Sequence, residues 1–118
     1  MRAWLGIAAI NGGLAVLLGA FAAHGLKARL TPDMLAVFET GARYHMYHAL
    51  AMGLAALAPD TRFTRLAGIL FLAGIVLFCG SLYLLAFGFP LGIVTPFGGL
   101  AFMAGWVALA VSAFRKKS

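Results

Sequence analysis

The chain has 118 residues, 64% of them hydrophobic and 10% charged, and its mean hydropathy of +1.01 lies far above that of a soluble domain of this size. Lipid is therefore the solvent for most of it. A helical span needs about 20 apolar residues to cross a hydrocarbon core of about 30 Å, so four spans use most of the chain and leave no room for a soluble domain. The net charge of +6 sits at the ends of apolar segments rather than in one patch. That distribution excludes a nucleic-acid surface and leaves membrane orientation as its use.

The first apolar segment, about 4–23, is "WLGIAAINGGLAVLLGAFAA", interrupted only by Asn11. A secretory signal is the competing reading, with Arg2 as a basic start and "AFA" as a cleavage site, but the apolar run exceeds the roughly 7–15 residues of a signal core. The second, about 32–58, opens at "TPD": Thr31 caps a helix whose first position is Pro32, and Pro59 follows its end. The third, about 62–88, holds the apolar run "LAGILFLAGIVLFCGSLYLLAFG" from Leu66 to Gly88. The fourth, about 96–114, repeats the start signal, with Thr95 as cap and Pro96 at the first position.

The expected fold is thus all-α: a single transmembrane domain over residues 1–118, an integral membrane four-helix bundle. One side carries Arg2, Arg62, Arg65, Arg115, Lys116 and Lys117, and the other only Lys27 and Arg29. Basic residues concentrate in cytoplasmic loops, which predicts both termini in the cytoplasm. Cys79 is the single cysteine, so no disulfide forms within one chain.

Small residues suggest helix contacts. Ala8, Gly12, Ala15 and Gly19 form a stripe on the first helix, and Gly98, Ala101, Gly105, Ala108 and Ser112 another on the fourth. Such stripes let backbones approach in lipid, and they predict that helices 1 and 4 touch, within one chain or between copies in a homo-oligomer.

The polar residues concentrate in "ARYHMYHALAMG" at 42–53. Glu39 is expected at the outer interface, Arg43 one turn deeper with its head reaching outward, and His48 close to the midplane. Glu39 and Arg43 have the favourable i,i+4 order for an interfacial ion pair. At about 100° per residue, Tyr44 and His48 share one arc of the helix, Glu39, Arg43 and Tyr47 share another, and His45 lies apart from the second group.

His45 and His48, joined by His24, would be the start of a metal site. No cysteine is near, and neither a metal nor any other cofactor is expected. A histidine with a tyrosine one turn away has the chemistry to move a proton, yet Ser81 in "CGSLY" lacks a nucleophile-elbow pattern and Thr40 has no catalytic context. No catalytic residue is assigned and an enzyme is not expected. The simplest alternative is that His48, Tyr44 and Asn11 hydrogen-bond across helices.

Four ordered stretches, "LGAFAAHGLKARL" at 18–30, "ETGARYHMYHALAM" at 39–52, "FCGSLYLLAF" at 78–87 and "VTPFGGLAFMAGW" at 94–106, resemble the motifs of a small bacterial membrane-protein family catalogued as domain of unknown function 423. The resemblance covers nearly the whole chain. It implies a small multi-spanning inner-membrane protein and names no activity. By that pattern His24 matches the histidine of "GAFxAH", Gly41, Tyr44 and His48 match "TGxxYxxxH", Gly80, Ser81 and Tyr83 match "GSLY", and Thr95 and Pro96 match "TP". Glu39 and His45 depart from it, family forms often having glutamine at either place, and Arg43 is outside the pattern.

Together these features predict a polar pocket toward the outer half of the membrane, formed by His24, Tyr44 and His48 and joined by Asn11 and Ser81. The expected function is a membrane interaction or small-ligand-binding component, with the lipid bilayer as its environment and no nucleic-acid partner. Two rivals stay open: a proton or small-solute pathway formed by an oligomer, and a histidine-dependent membrane enzyme.

Overall fold

The structure, a computed structural model, describes residues 2–115. Lys116 and Lys117, and the side chain of Arg2, which the charge argument assigns to the cytoplasmic side, lie outside what is described. Among the described residues four helices follow one another. Helix α1 spans Arg2–Phe21 and widens into a π turn at Ala22–Leu26. Helix α2 spans Pro32–Leu57. Helix α3 runs through Arg62–Gly74, a π segment at Ile75–Cys79 and a last stretch at Gly80–Ala86. Helix α4 spans Thr95–Phe114. Among the described residues there is no strand.

Local chemistry sets most of the ends. The Thr31 hydroxyl accepts from the Met34 N–H at 3.2 Å, with Pro32 in the first turn, where its missing N–H leaves no bond unmade. Thr61 and Thr64 form a reciprocal capping box at the start of α3, at 3.1 and 2.9 Å. At the other end of α3, Gly88 takes a φ of +99°, a conformation that costs glycine nothing. That lets the Gly88 N–H reach the Leu85 carbonyl and the Phe89 N–H the Leu84 carbonyl, at 2.9 and 3.1 Å, a Schellman closure.

Helix α4 starts differently from the sequence expectation. Thr95 does not cap it: the residue before the helix is Val94, which offers no capping side chain. The Thr95 hydroxyl is spent instead on Ser81 of α3, 2.6 Å away.

Among the described residues, three stretches are long and apolar enough to cross a membrane: Ala3–Leu26, Arg62–Ala86 and Thr95–Phe114. Helix α2 is the most polar of the four and packs lengthwise between α1 and α3. Leu17, Leu50, Leu54, Val76, Phe97, Met103 and Val107 are exposed on the outside, the arrangement of a protein whose surroundings are as apolar as its core. The result is an all-α membrane protein.

Its cross-section is flattened, 26 by 17 Å normal to a 52 Å long axis. Helices α2 and α3 hold the middle, with α1 on the far side of α2 and α4 on the far side of α3. Within the chain, α1 and α4 therefore do not pack along one another, which corrects the within-chain form of the expected contact between their small-residue stripes. The α4 stripe meets α3. Phe71 of α3 sits over Gly105, Phe102 of α4 sits over Gly74, and Gly98 lies against the backbone of Phe78, so a methyl group at any of the three glycines would collide with its neighbour. On α1, only Ala8 and Ala15 of the stripe are buried, whereas a methyl at Gly12 or Gly19 would meet nothing within 4 Å.

Candidate functional site

Buried polar groups in lipid must satisfy one another, because no water competes for them. Two histidines of α2 do so in opposite ways. The Asn11 amide donates to its own helix at the Ile7 carbonyl, 3.0 Å away, which leaves its oxygen to accept from His45 Nε2 at 3.0 Å. With its proton on Nε2, His45 accepts at Nδ1 from the Tyr83 hydroxyl, at 2.9 Å. A neutral ring thus ties α1, α2 and α3 together, and it is 4% exposed.

His48 carries its proton on the other nitrogen. The Trp106 indole N–H donates to His48 Nε2 at 3.2 Å, so Nδ1 bears the hydrogen and donates to the Tyr44 carbonyl at 2.8 Å. The ring stacks on Phe102 with centroids 3.5 Å apart and lies against Phe71. This pair ties α2 to α4.

Asn11, His45, His48 and Ser81 are all buried, and among the described residues no buried side-chain polar atom lacks a partner. The Ser81 hydroxyl donates to the Phe78 carbonyl at 2.9 Å, so Thr95 is the donor in the Ser81–Thr95 pair. At the opposite end Thr61 and Ser112 pair at 3.3 Å. Hydroxyl contacts therefore staple α3 to α4 at both ends.

The residues assigned to a polar pocket are not brought together as one. His24 is exposed on the π turn and its Nδ1 faces the Ala20 carbonyl at 3.1 Å. Tyr44 is 38% exposed, packs at a tilt against Phe78 and edge-to-face against Tyr47, and reaches His48 through its backbone carbonyl and a parallel ring contact. His48 is enclosed by aromatic rings, and Ser81 belongs to the α3–α4 staple. Of the three residues expected to hydrogen-bond across helices, Asn11 does so with His45 and His48 with Trp106, rather than with one another, while the Tyr44 carbonyl bonds His48 within α2. No three His, Cys, Asp or Glu side chains gather as a metal-ligand set among the described residues.

The expected Glu39–Arg43 ion pair is absent. Arg43 donates to the Thr40 hydroxyl at 3.2 Å, and among the described residues the only salt bridge is Arg65–Asp60, at 2.7 Å on the surface. The local turn offers the guanidinium a hydroxyl on its own helix, and both residues line an opening between α1 and α2. That opening, about 350 Å³, is lined by Ala15, Gly19, Glu39, Ala42, Arg43 and Met46. The same seam continues toward the chain termini as a second hollow of about 360 Å³ lined by apolar residues, among them Ala8, Gly12, Ala49, Gly53 and Leu57. On each helix the lining positions recur every three or four residues, so the two hollows share one face of the pair.

Three residues of this arrangement escaped the sequence reading: His45 as a hub, Tyr83 as its partner and Trp106 as the partner of His48. A tyrosine or tryptophan within an apolar helix is itself a signal, since its polar tip needs a partner when buried.

The family described as protein of unknown function (DUF423) matches residues 18–99. The chain is 44% identical over 121 aligned residues to the UPF0382 membrane protein YwdK of Bacillus subtilis, with 98% of each chain covered. It is 44% identical over 119 residues to a UPF0382 membrane protein of Haemophilus influenzae, covering 98% of this chain and 96% of that one. A third relative, UPF0382 membrane protein SAB0533 of Staphylococcus aureus, is 38% identical with 98% of each chain covered. No solved structure matches. With the family pattern over residues 18–99 and relatives aligned from end to end, this chain belongs to the DUF423 family of membrane proteins.

Proposed function

We propose that this protein is a non-enzymatic binding component of the bacterial inner membrane, and that the surface between α1 and α2 takes the ligand. In this reading α2 is the fourth span and both termini face the cytoplasm, so the Glu39–Arg43 end of the seam faces outward. The observation that carries it is that Glu39 and Arg43 line an open groove without pairing with each other. A charged side chain within a span costs about 2.5–3.5 kcal/mol at mid-membrane and less near the interface, so two of them lining one opening, with only the Thr40 hydroxyl on Arg43, favour a ligand of complementary charge.

The histidine networks have the opposite character. Each buried imidazole nitrogen already has a protein partner, which supports a scaffold role for His45 and His48. Native mass spectrometry from mild detergent tests the proposal, comparing the wild type with Gly12→Leu/Gly53→Leu, which fills the groove from two positions where an added methyl group meets nothing within 4 Å. Extra mass carried by the wild type and lost from the variant is the expected result. A clean, ligand-free peak from both proteins would overturn it.

A further inference from the structure

We infer that the ligand of this groove is a glycerophospholipid whose headgroup bears a phosphate and a primary ammonium, an ethanolamine-type lipid of the outward-facing leaflet; the inference rests on the binding role proposed above. Two features of the seam select it. At one end stand a guanidinium and a carboxylate one helical turn apart, Arg43 and Glu39, on the same opening. Residues at i and i+4 are about 6 Å apart at their Cβ atoms, a spacing suited to a phosphate and an ammonium joined by a two-carbon spacer. Arginine matches phosphate oxygens through its planar fork of N–H donors, and the carboxylate accepts from the ammonium N–H groups. Both charges of the protein and both charges of the lipid are then neutralised together.

Below that end the seam holds the second, apolar hollow. Ala8, Gly12, Ala49 and Gly53 line it, and at Gly12 and Gly53 even a methyl group would touch nothing within 4 Å. From Arg43 to Gly53 the helix advances about 15 Å at 1.5 Å per residue, which is half of the roughly 30 Å hydrocarbon core and thus the reach of one leaflet's acyl chains. A headgroup held at Arg43 places its tail along this trough.

A second copy of the chain is the competing occupant, since a two-fold contact sets the same surface against itself and Leu5, Leu50, Leu54 and Leu57 stand exposed along the apolar hollow. What favours the lipid is the charge at the other end: a phosphate and an ammonium answer Arg43 and Glu39, and dimers that exclude lipid are the outcome that separates the two.

The test is lipid titration of the full-length protein in mild detergent, read by native mass spectrometry, with ethanolamine, choline and glycerol headgroups on identical acyl chains. The wild type is expected to retain the ethanolamine lipid in preference to the other two, by about tenfold, the factor expected for one well-formed charge-assisted contact. Arg43→Gln is expected to weaken all three lipids. Glu39→Gln is expected to remove the preference for ethanolamine over choline while leaving phosphate-dependent retention. Wild-type protein that holds the three headgroups equally, or that forms dimers excluding lipid, overturns the inference. If it binds some other mass that the groove-filled variant loses, the binding role stands and only the lipid assignment falls; if it binds nothing, both fall.

Discussion

His45 shows how an imidazole is accommodated where water is absent: one ring N–H donates a hydrogen bond to the Asn11 oxygen, and the other nitrogen accepts one from the Tyr83 hydroxyl. A replacement is tolerated when it keeps one donor and one acceptor at that place. Glutamine does so through its amide N–H and carbonyl, whereas phenylalanine leaves the Asn11 oxygen and the Tyr83 hydroxyl unmatched. Interhelical hydrogen bonds in membranes are worth about 0.6 to 2 kcal/mol each. Thermal unfolding in detergent is therefore expected to place His45→Gln within about 0.5 kcal/mol of wild type and His45→Phe about 1–2 kcal/mol below it; a His45→Phe protein as stable as wild type would show that the network adds nothing. The sequence carried a clue to this role. Phe38, Ala42, His45, Ala49, Met52 and Ala56 alternate at intervals of four and three and are all buried, so measuring angles from the small apolar residues, not from the other polar ones, puts His45 on the packed face. The partners on α3 and α4 had no such local mark, because pairing across 38 and 58 residues is set by tertiary packing.

Helix packing divides the glycines into two kinds, and substitution separates them. Gly98 lies against the backbone of Phe78, which cannot rotate away as a side chain would. Gly98→Ala is expected to force α4 off α3 and cost about 1–3 kcal/mol in detergent unfolding, the range for overpacking. Gly12→Ala on α1 meets open space and is expected to be neutral or to stabilise by up to about 1 kcal/mol through helix propensity. Equal behaviour of the two variants would refute this division. Helix starts were legible where they depend on a few adjacent residues, as at Thr31 and Pro32. Thr95 and Pro96 carry the same local signal, but Ser81 competes for the hydroxyl from another helix, and no local rule contains Ser81. The small-residue stripe on α4 was likewise visible, while its partner was not: spacing shows that a backbone is approachable and says nothing about which helix approaches.

At the scale of the molecule, the helical, membrane-embedded architecture follows from composition, because 64% hydrophobic residues in 118 leave no other solvent than lipid. The flattened arrangement does not, since α1 and α4 have nearly interchangeable apolar surfaces. Orientation is open to direct measurement. With Cys79 replaced by alanine, a single cysteine at Asp60 is expected to react with a membrane-impermeant maleimide only after cells are opened. One at Lys27 is expected to react in intact cells, as the excess of basic residues at the termini and the 59–65 connection requires. The reverse pattern would invert the topology and move the Glu39–Arg43 end of the groove to the inner leaflet.

The wiring of the two histidines also imposes an order of assembly. Asn11 and His45 belong to the first helical hairpin, α1 with α2, and can bond as soon as that hairpin is in the membrane. Tyr83 and Trp106 belong to the second, α3 with α4, which is synthesised later. In the interval His45 Nδ1 and His48 Nε2 lack the partners they have in the finished fold, and only the second hairpin supplies both. The early half is left chemically unfinished in a way that the late half alone completes, so correct docking of the two halves is marked by the disappearance of two unmet hydrogen-bond sites.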